Sequence, residues 1–245
     1  MLAVASSRVS DPGRKKAVPE RHAPPEPAGT GLESLLHALV ALRPGGCPDG
    51  PGAPRAPVCC TWVCGTVVGD VHDRVLDASS AGPGLEFETV LVRRLGWRYL
   101  RVVTDAAADR PVPRIWQLLL DPPPASPARL ALAGVGTLLD HDLTLAFAST
   151  CTVLGRDPGP RERAAHGRIA ALLSACGDRL VRRTGGPDDI ALAAHLGGPA
   201  RHEAARRRAE SLWTLRGRPA EAAAERDALD REVHAAALRL LAGAP

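Results

Sequence analysis

Apolar positions recur along this chain every three or four residues, and no useful stretch alternates with the period of two that a half-buried strand needs. Leu32 to Leu42 puts Leu32, Leu35, Leu36, Leu39 and Leu42 on one helical face and leaves His37 off it, in solvent. Val58 to Ala78 reads as a helix through Trp62, Val63, Val67, Val71 and Leu76. Phe87 to Thr104 reads as the next, with Val92, Leu95, Tyr99 and Val102 on one side and Arg94, Arg98 and Arg101 on the other. Pro113 to Leu120 is short, opened by a proline and stopped by the prolines after Asp121. Arg161 to Arg183 follows through Ile169, Leu172, Leu173, Cys176 and Leu180. Ile190 to Leu196, capped by Asp188 or Asp189, precedes Pro199 to Leu215. The last helix opens at Pro219. It carries Leu229, Val233, Ala236, Ala237, Leu240 and Leu241 as a stripe, with Asp227–Arg231 and Arg226–Asp230 pairs outside.

These periods predict an all-α fold, a single helical domain of about seven or eight helices. It spans residues 31–245 behind a Pro/Gly-rich tail, residues 1–30, that is too poor in apolar residues to order itself. Pro44 to Pro57 reads as a loop.

One segment departs from the amphipathic pattern. Between Arg129 and Leu154 two apolar runs flank Asp140-His141-Asp142. Such a segment belongs at the centre of the core, and burying three ionisable groups there needs a reason. The expected geometry is a helix that breaks and restarts at Leu143. An Asp at the break would then accept hydrogen bonds from the free N–H groups of the next turn and complement its dipole. That structural account explains one Asp, but neither the second nor the His. His141 beside carboxylates would have its positive form favoured, or be oriented as a general base, so the trio is also a candidate site, although the cap and salt-bridge reading weighs more.

Composition narrows the field. The chain has 245 residues, 45% of them hydrophobic and only 3% aromatic, so the core must be built from Ala, Leu and Val. The basic residues are nearly all Arg, which with abundant Ala, Gly and Pro reads as the codon bias of a high-GC bacterium. A net charge of +4, spread along the chain, does not point to nucleic acid. The arginine face of Phe87 to Thr104 could hold phosphate, but no aromatic residues interleave it and it reads as a solvated face. Neither apolar run of the central segment is long enough to span a bilayer, and joining them would put three charges at its midplane, so no membrane partner is expected. No secretory leader is apparent, which implies a cytoplasmic protein with reduced thiols at Cys47, Cys59, Cys60, Cys64, Cys151 and Cys176. The Cys59-Cys60-x-x-x-Cys64 cluster lacks zinc-finger spacing and reads as small buried hydrophobes.

A second His-Asp pair, His72-Asp73, lies near Asp70. Asp70 and Asp73 share a helix face and would hold a metal with His141 only if the fold brought them together; the bland reading is a solvated face. Gly134 and Gly136 sit inside an apolar helix and suit close packing better than phosphate binding.

Several strings are similar to a bacterial family, domain-of-unknown-function family 5995. Gly134, His141, Asp142, Leu143 and Leu145 match its central Gly and His-Asp-Leu stretch. Arg93–Leu100, Ile115-Trp116 and Glu210–Arg216 resemble its aromatic-ended helix, its Pro-Trp helix and its late Trp helix. The resemblance covers roughly residues 31–243 and implies an all-helical fold, with no activity to carry over. Two polar positions of the family's stretch are Gly136 and Leu138 here, so half of that constellation is absent from this chain.

Three functional classes follow. The first is a small-molecule-binding or accessory protein with a site at Asp140, His141 and Asp142. The second is a metal-dependent hydrolase of His-Asp type, with His72 or His37 and Asp178 as further nominees. The third is a partner-binding helical scaffold. Cofactor, metal and oligomeric state are left open by the residues.

Overall fold

The long apolar segment forms one continuous helix, Pro127–Leu154, where a break was expected. The computed structural model describes residues 31–42, 56–77 and 84–243. The tail expected over residues 1–30, Cys47 and most of the expected Pro44–Pro57 loop lie outside them. Among the described residues there are nine helices and no strand. They are α1 (Leu32–Ala41), α2 (Ala56–Leu76), α3 (Leu85–Ala107), α4 (Arg114–Leu120), α5 (Pro127–Leu154), α6 (Pro160–Thr184), α7 (Pro187–Leu196), α8 (Pro199–Thr214) and α9 (Pro219–Leu241).

Helix α5 packs against α2, α3, α4, α6, α7, α8 and α9. It is long and apolar enough to cross a membrane, but 89% of its apolar window is buried by the protein's own helices. Small residues make that central position workable. A Cβ on Gly134 would stand 2.7 Å from Cys60 Sγ of α2, and one on Gly136 would stand 2.7 Å from Arg201 Nη2 of α8. Both glycines let a neighbour approach the α5 backbone, as their setting in an apolar helix suggested.

Proline explains where the helices begin. Pro127, Pro160, Pro187, Pro199 and Pro219 each occupy the first turn of a helix, where no intrahelical N–H partner is lost. Ser126 caps α5 by accepting from the Arg129 N–H at 3.2 Å. The Asp189 carboxylate accepts from the Gly186 N–H at 3.2 Å at the start of α7, in line with the expected acidic cap.

The few aromatic residues are concentrated inside. Trp116, Tyr99, Phe87 and Phe147 are among the largest fully buried side chains. Tyr99 leans on Trp116 with ring centroids 5.4 Å apart, and Phe87 meets Phe147 edge-on at 5.6 Å. The five described cysteines are buried free thiols and fill core volume, as their spacing suggested. A buried carboxylate, Glu88, is held by Arg74 of α2 and Arg168 of α6, tying those helices to α3. At the periphery the stripes are less complete than they looked. Trp213 and Leu240 are half-buried, Ala236 is exposed, and Leu76 projects into solvent at 70% exposure.

Candidate functional site

Helix α5 absorbs its charged trio by a wide turn. Leu138–Leu143 is π-helical, so the chain takes up about one extra residue without breaking. The expectation that an Asp caps a restarted helix is therefore corrected: a continuous helix offers no fresh N-terminus to cap. Consecutive side chains on a helix diverge by roughly 100°, and this turn sends the three residues to two different places.

Asp140 faces outward. Its carboxylate takes a two-pronged contact from Arg201 of α8, with Nε at 2.9 Å and Nη2 at 2.5 Å from Oδ2. Arg201 is fixed from its other side by Nη1 donating to the Leu196 carbonyl at 3.2 Å. This pair borders a cleft of about 20 Å³ whose floor is Leu132, Val135 and Leu139, with Ser174 and Asp178 also on its wall. That volume suits roughly one water molecule.

His141 and Asp142 face inward. Asp142 Oδ1 lies 2.8 Å from His141 Nδ1, and Oδ2 accepts from Trp116 Nε1 at 3.1 Å. Arg98 Nε stands 3.7 Å from the same carboxylate. On the far side of the ring, His141 Nε2 is 3.9 Å from Asp230 Oδ1 of α9. Asp230 in turn accepts from the Arg114 and Ile115 N–H groups at 3.1 and 3.2 Å, and so caps α4. His141 is 3% exposed and Asp142 1%. The result is a largely buried chain of polar contacts through α3, α4, α5 and α9.

The surrounding thiols are quiet. Burial pushes the Cys60 and Cys64 thiols well above their usual range, and the Asp142 charge adds to it. Burial also raises Cys59 to about 11 and Cys151 to about 12.

Two further histidines lie nearby. His166 of α6 is fully buried, meets Phe147 edge-on at 5.2 Å, and neither ring nitrogen has a hydrogen-bond partner. Burial, then the positive charge of Arg206, pulls it down to about 4. His202 of α8 is half-buried and also lowered, by burial first and by Arg201 next. Its Nε2 lies 2.7 Å from Ser174 Oγ.

The fold thus separates what the sequence had grouped. Asp140 is paired with Arg201, which lines the cleft, and His141 with Asp142 belongs to the interior. Asp70 turns to Arg74 at 3.3 Å, and Asp73 and His37 are exposed. Among the described residues no three His, Cys, Asp or Glu side chains form a metal-holding group. The Arg226–Asp230 surface pair is corrected, because Asp230 is drawn to α4 and His141. Arg98 likewise leaves the solvated arginine face for Asp142. Spacing held a signal for both. Arg98 stands three residues after buried Leu95 and four before buried Val102, and Asp230 stands three before buried Val233. Each lies on the inner stripe of its helix. Arg201 carried the same signal, standing four residues before buried Ala205 and eight before buried Ala209.

The sequence model of a family described as being of unknown function, DUF5995, matches residues 86–243, more than half of the chain. Neither the curated proteins nor the solved structures contain a match.

Proposed function

The chain belongs to this family of unknown function, and from that premise we propose that it is a small-molecule-binding or accessory protein whose ligand comes to the outer face of the π turn. The observation that carries this reading is the division of the trio. Asp140 is paired with Arg201, which lines a cleft, while His141 and Asp142 are spent on the interior. A ligand carrying an anionic group would compete with Asp140 for Arg201 at the mouth of the cleft. The inner cluster would hold the turn in shape behind the site.

The alternative, a His-Asp hydrolase, asks His141 to offer a lone pair to a metal or a proton acceptor to substrate. Here Nδ1 is taken by Asp142, Nε2 faces Asp230, and the ring has almost no exposure.

The test pairs thermal-shift screening of a small-molecule panel with metal analysis of the purified protein. Wild type and His141→Gln should respond to the same compounds, with a lower baseline melting point in the variant, while Arg201→Ala should lose the response. Stoichiometric metal that disappears in His141→Gln would overturn the proposal in favour of the hydrolase. No response from any compound, with interaction partners retained, would favour the scaffold.

A further inference from the structure

We propose that Ser174, on the wall of this cleft, and His202 of α8 behind it form a nucleophile–base pair able to transfer the acyl group of small, unhindered esters. The inference rests on the cleft being the ligand site, and it adds a reaction to it.

The first observation is where the Ser174 hydroxyl points. Hydroxyls inside the helices of this protein mostly return to their own backbone. Thr66, Thr89, Thr137, Thr150 and Thr184 each donate to the carbonyl four residues earlier, at 2.7 to 3.0 Å. Ser174 Oγ instead reaches across from α6 to His202 Nε2 of α8, at 2.7 Å. This is the contact a serine needs if an imidazole is to take its proton.

The second observation is the state of the imidazole. Burial and the neighbouring Arg201 charge both disfavour its protonation. Asp140 opposes them without reversing the shift, so the neutral form, with a lone pair to offer, is favoured. A charged histidine could only donate to the serine.

The third is access. Ser174 and His202 are each half-buried, unlike His141. Ser174 lines the cleft together with Arg201 and Gly197. A Cβ on Gly197 would lie 3.3 Å from the Ser174 Cβ and 3.6 Å from its Oγ, so the glycine leaves one side of the hydroxyl uncrowded. Arg201, paired with Asp140, lines the same cleft. The small volume, room for about one water molecule, means that an ester must bring its carbonyl to Ser174 from the open side, which favours the smallest acyl groups.

The chemistry balances without any further reactant but water. Ser174 Oγ adds to the ester carbonyl carbon, and its proton passes to His202 Nε2. The bond from that carbon to the alcohol oxygen breaks, and the departing oxygen takes the proton from the imidazole. Water then adds to the acyl-serine and gives a proton to His202. The carbon–Oγ bond breaks, Ser174 recovers its proton, and the carboxylic acid leaves.

The experiment uses p-nitrophenyl acetate with the full chain. Release of p-nitrophenol is followed, and the acetylated peptide is located by mass spectrometry after rapid acid quench. Wild type should carry acetyl on Ser174, and Ser174→Ala and His202→Gln should each lower the rate by about 10²-fold or more. The wild-type rate should rise as His202 loses its proton and level off below neutral pH. Acetyl found only on other residues, or Ser174→Ala reacting as fast as wild type, would overturn the proposal. Should either variant fail to fold, the site of acetylation in wild type decides alone. A cleft that responds in the thermal-shift screen yet shows no acetyl-Ser174 would leave the binding reading standing and end this one. Absence of both would end both.

Discussion

His141 and His166 are both shut away from solvent, and their surroundings are opposite. His141 lies between two carboxylates, with Arg98 and Trp116 completing the cluster. His166 has an aromatic edge beside it and no hydrogen bond to either nitrogen. One imidazole is held by polar partners and the other by packing alone. The pair shows that burial by itself does not set what an ionisable group contributes; the partners do.

That contrast can be broken most sharply at Asp142. Asn in its place would still accept from Trp116 but would remove the carboxylate charge that Arg98 and His141 Nδ1 face. Breaking a buried pair by removing one partner costs about 3–5 kcal/mol, so denaturant unfolding of Asp142→Asn should show a loss in that range. A change near zero would return Asp142 to the role of a simple helix cap, where Asn serves as well as Asp.

The next largest effect belongs to His166 and to pH. Its folded value of about 4 lies below the ordinary 6.5. Protons therefore bind the unfolded chain first, and stability is complete above pH 6.5 and declines as pH falls towards 4. A shift of that size is worth about 3 kcal/mol. Unfolding midpoints measured from pH 7 down to 4.5 should fall more steeply for wild type than for His166→Leu. Arg206, His202 and Glu203 act on His166 in the same region, so the comparison between the two proteins isolates the one imidazole. Parallel curves would mean that His166 finds a partner in solution.

The smallest effect is expected at the second carboxylate beside His141. Asp230 is farther from the ring and partly open to solvent, and Asn could still accept from the α4 N–H groups. Asp230→Asn should cost roughly 1 kcal/mol by the same measurement. A loss as large as that of Asp142→Asn would make the two carboxylates equal partners of the imidazole.

Much of this molecule was legible in its sequence. The period of apolar residues places every described helix to within a few residues, because helix faces and proline starts are local properties. The burial of the central segment followed from its hydrophobicity. The π turn did not, because Leu-Leu-Asp-His-Asp-Leu carries no proline or glycine to mark a distortion, and the expected break was the simpler way to accommodate charge. Partners remote in sequence were invisible for a related reason. Asp140 meets Arg201 and His141 meets Asp230 only after α8 and α9 have packed on α5. An arginine in an exposed-looking run or an aspartate beside a surface pair reads as solvated until the opposing helix is known.

The close approach of Cys60 to Gly134 has a consequence for kinetics. The sulfur lies where a side chain on α5 would otherwise be, with no room for an added group. A neutral alkylating reagent can reach it only when α2 and α5 part. Labelling at Cys60 should therefore proceed at the pace of that opening and be insensitive to reagent concentration once the reagent is abundant. The core thus carries its own clock for how often the central helix is uncovered.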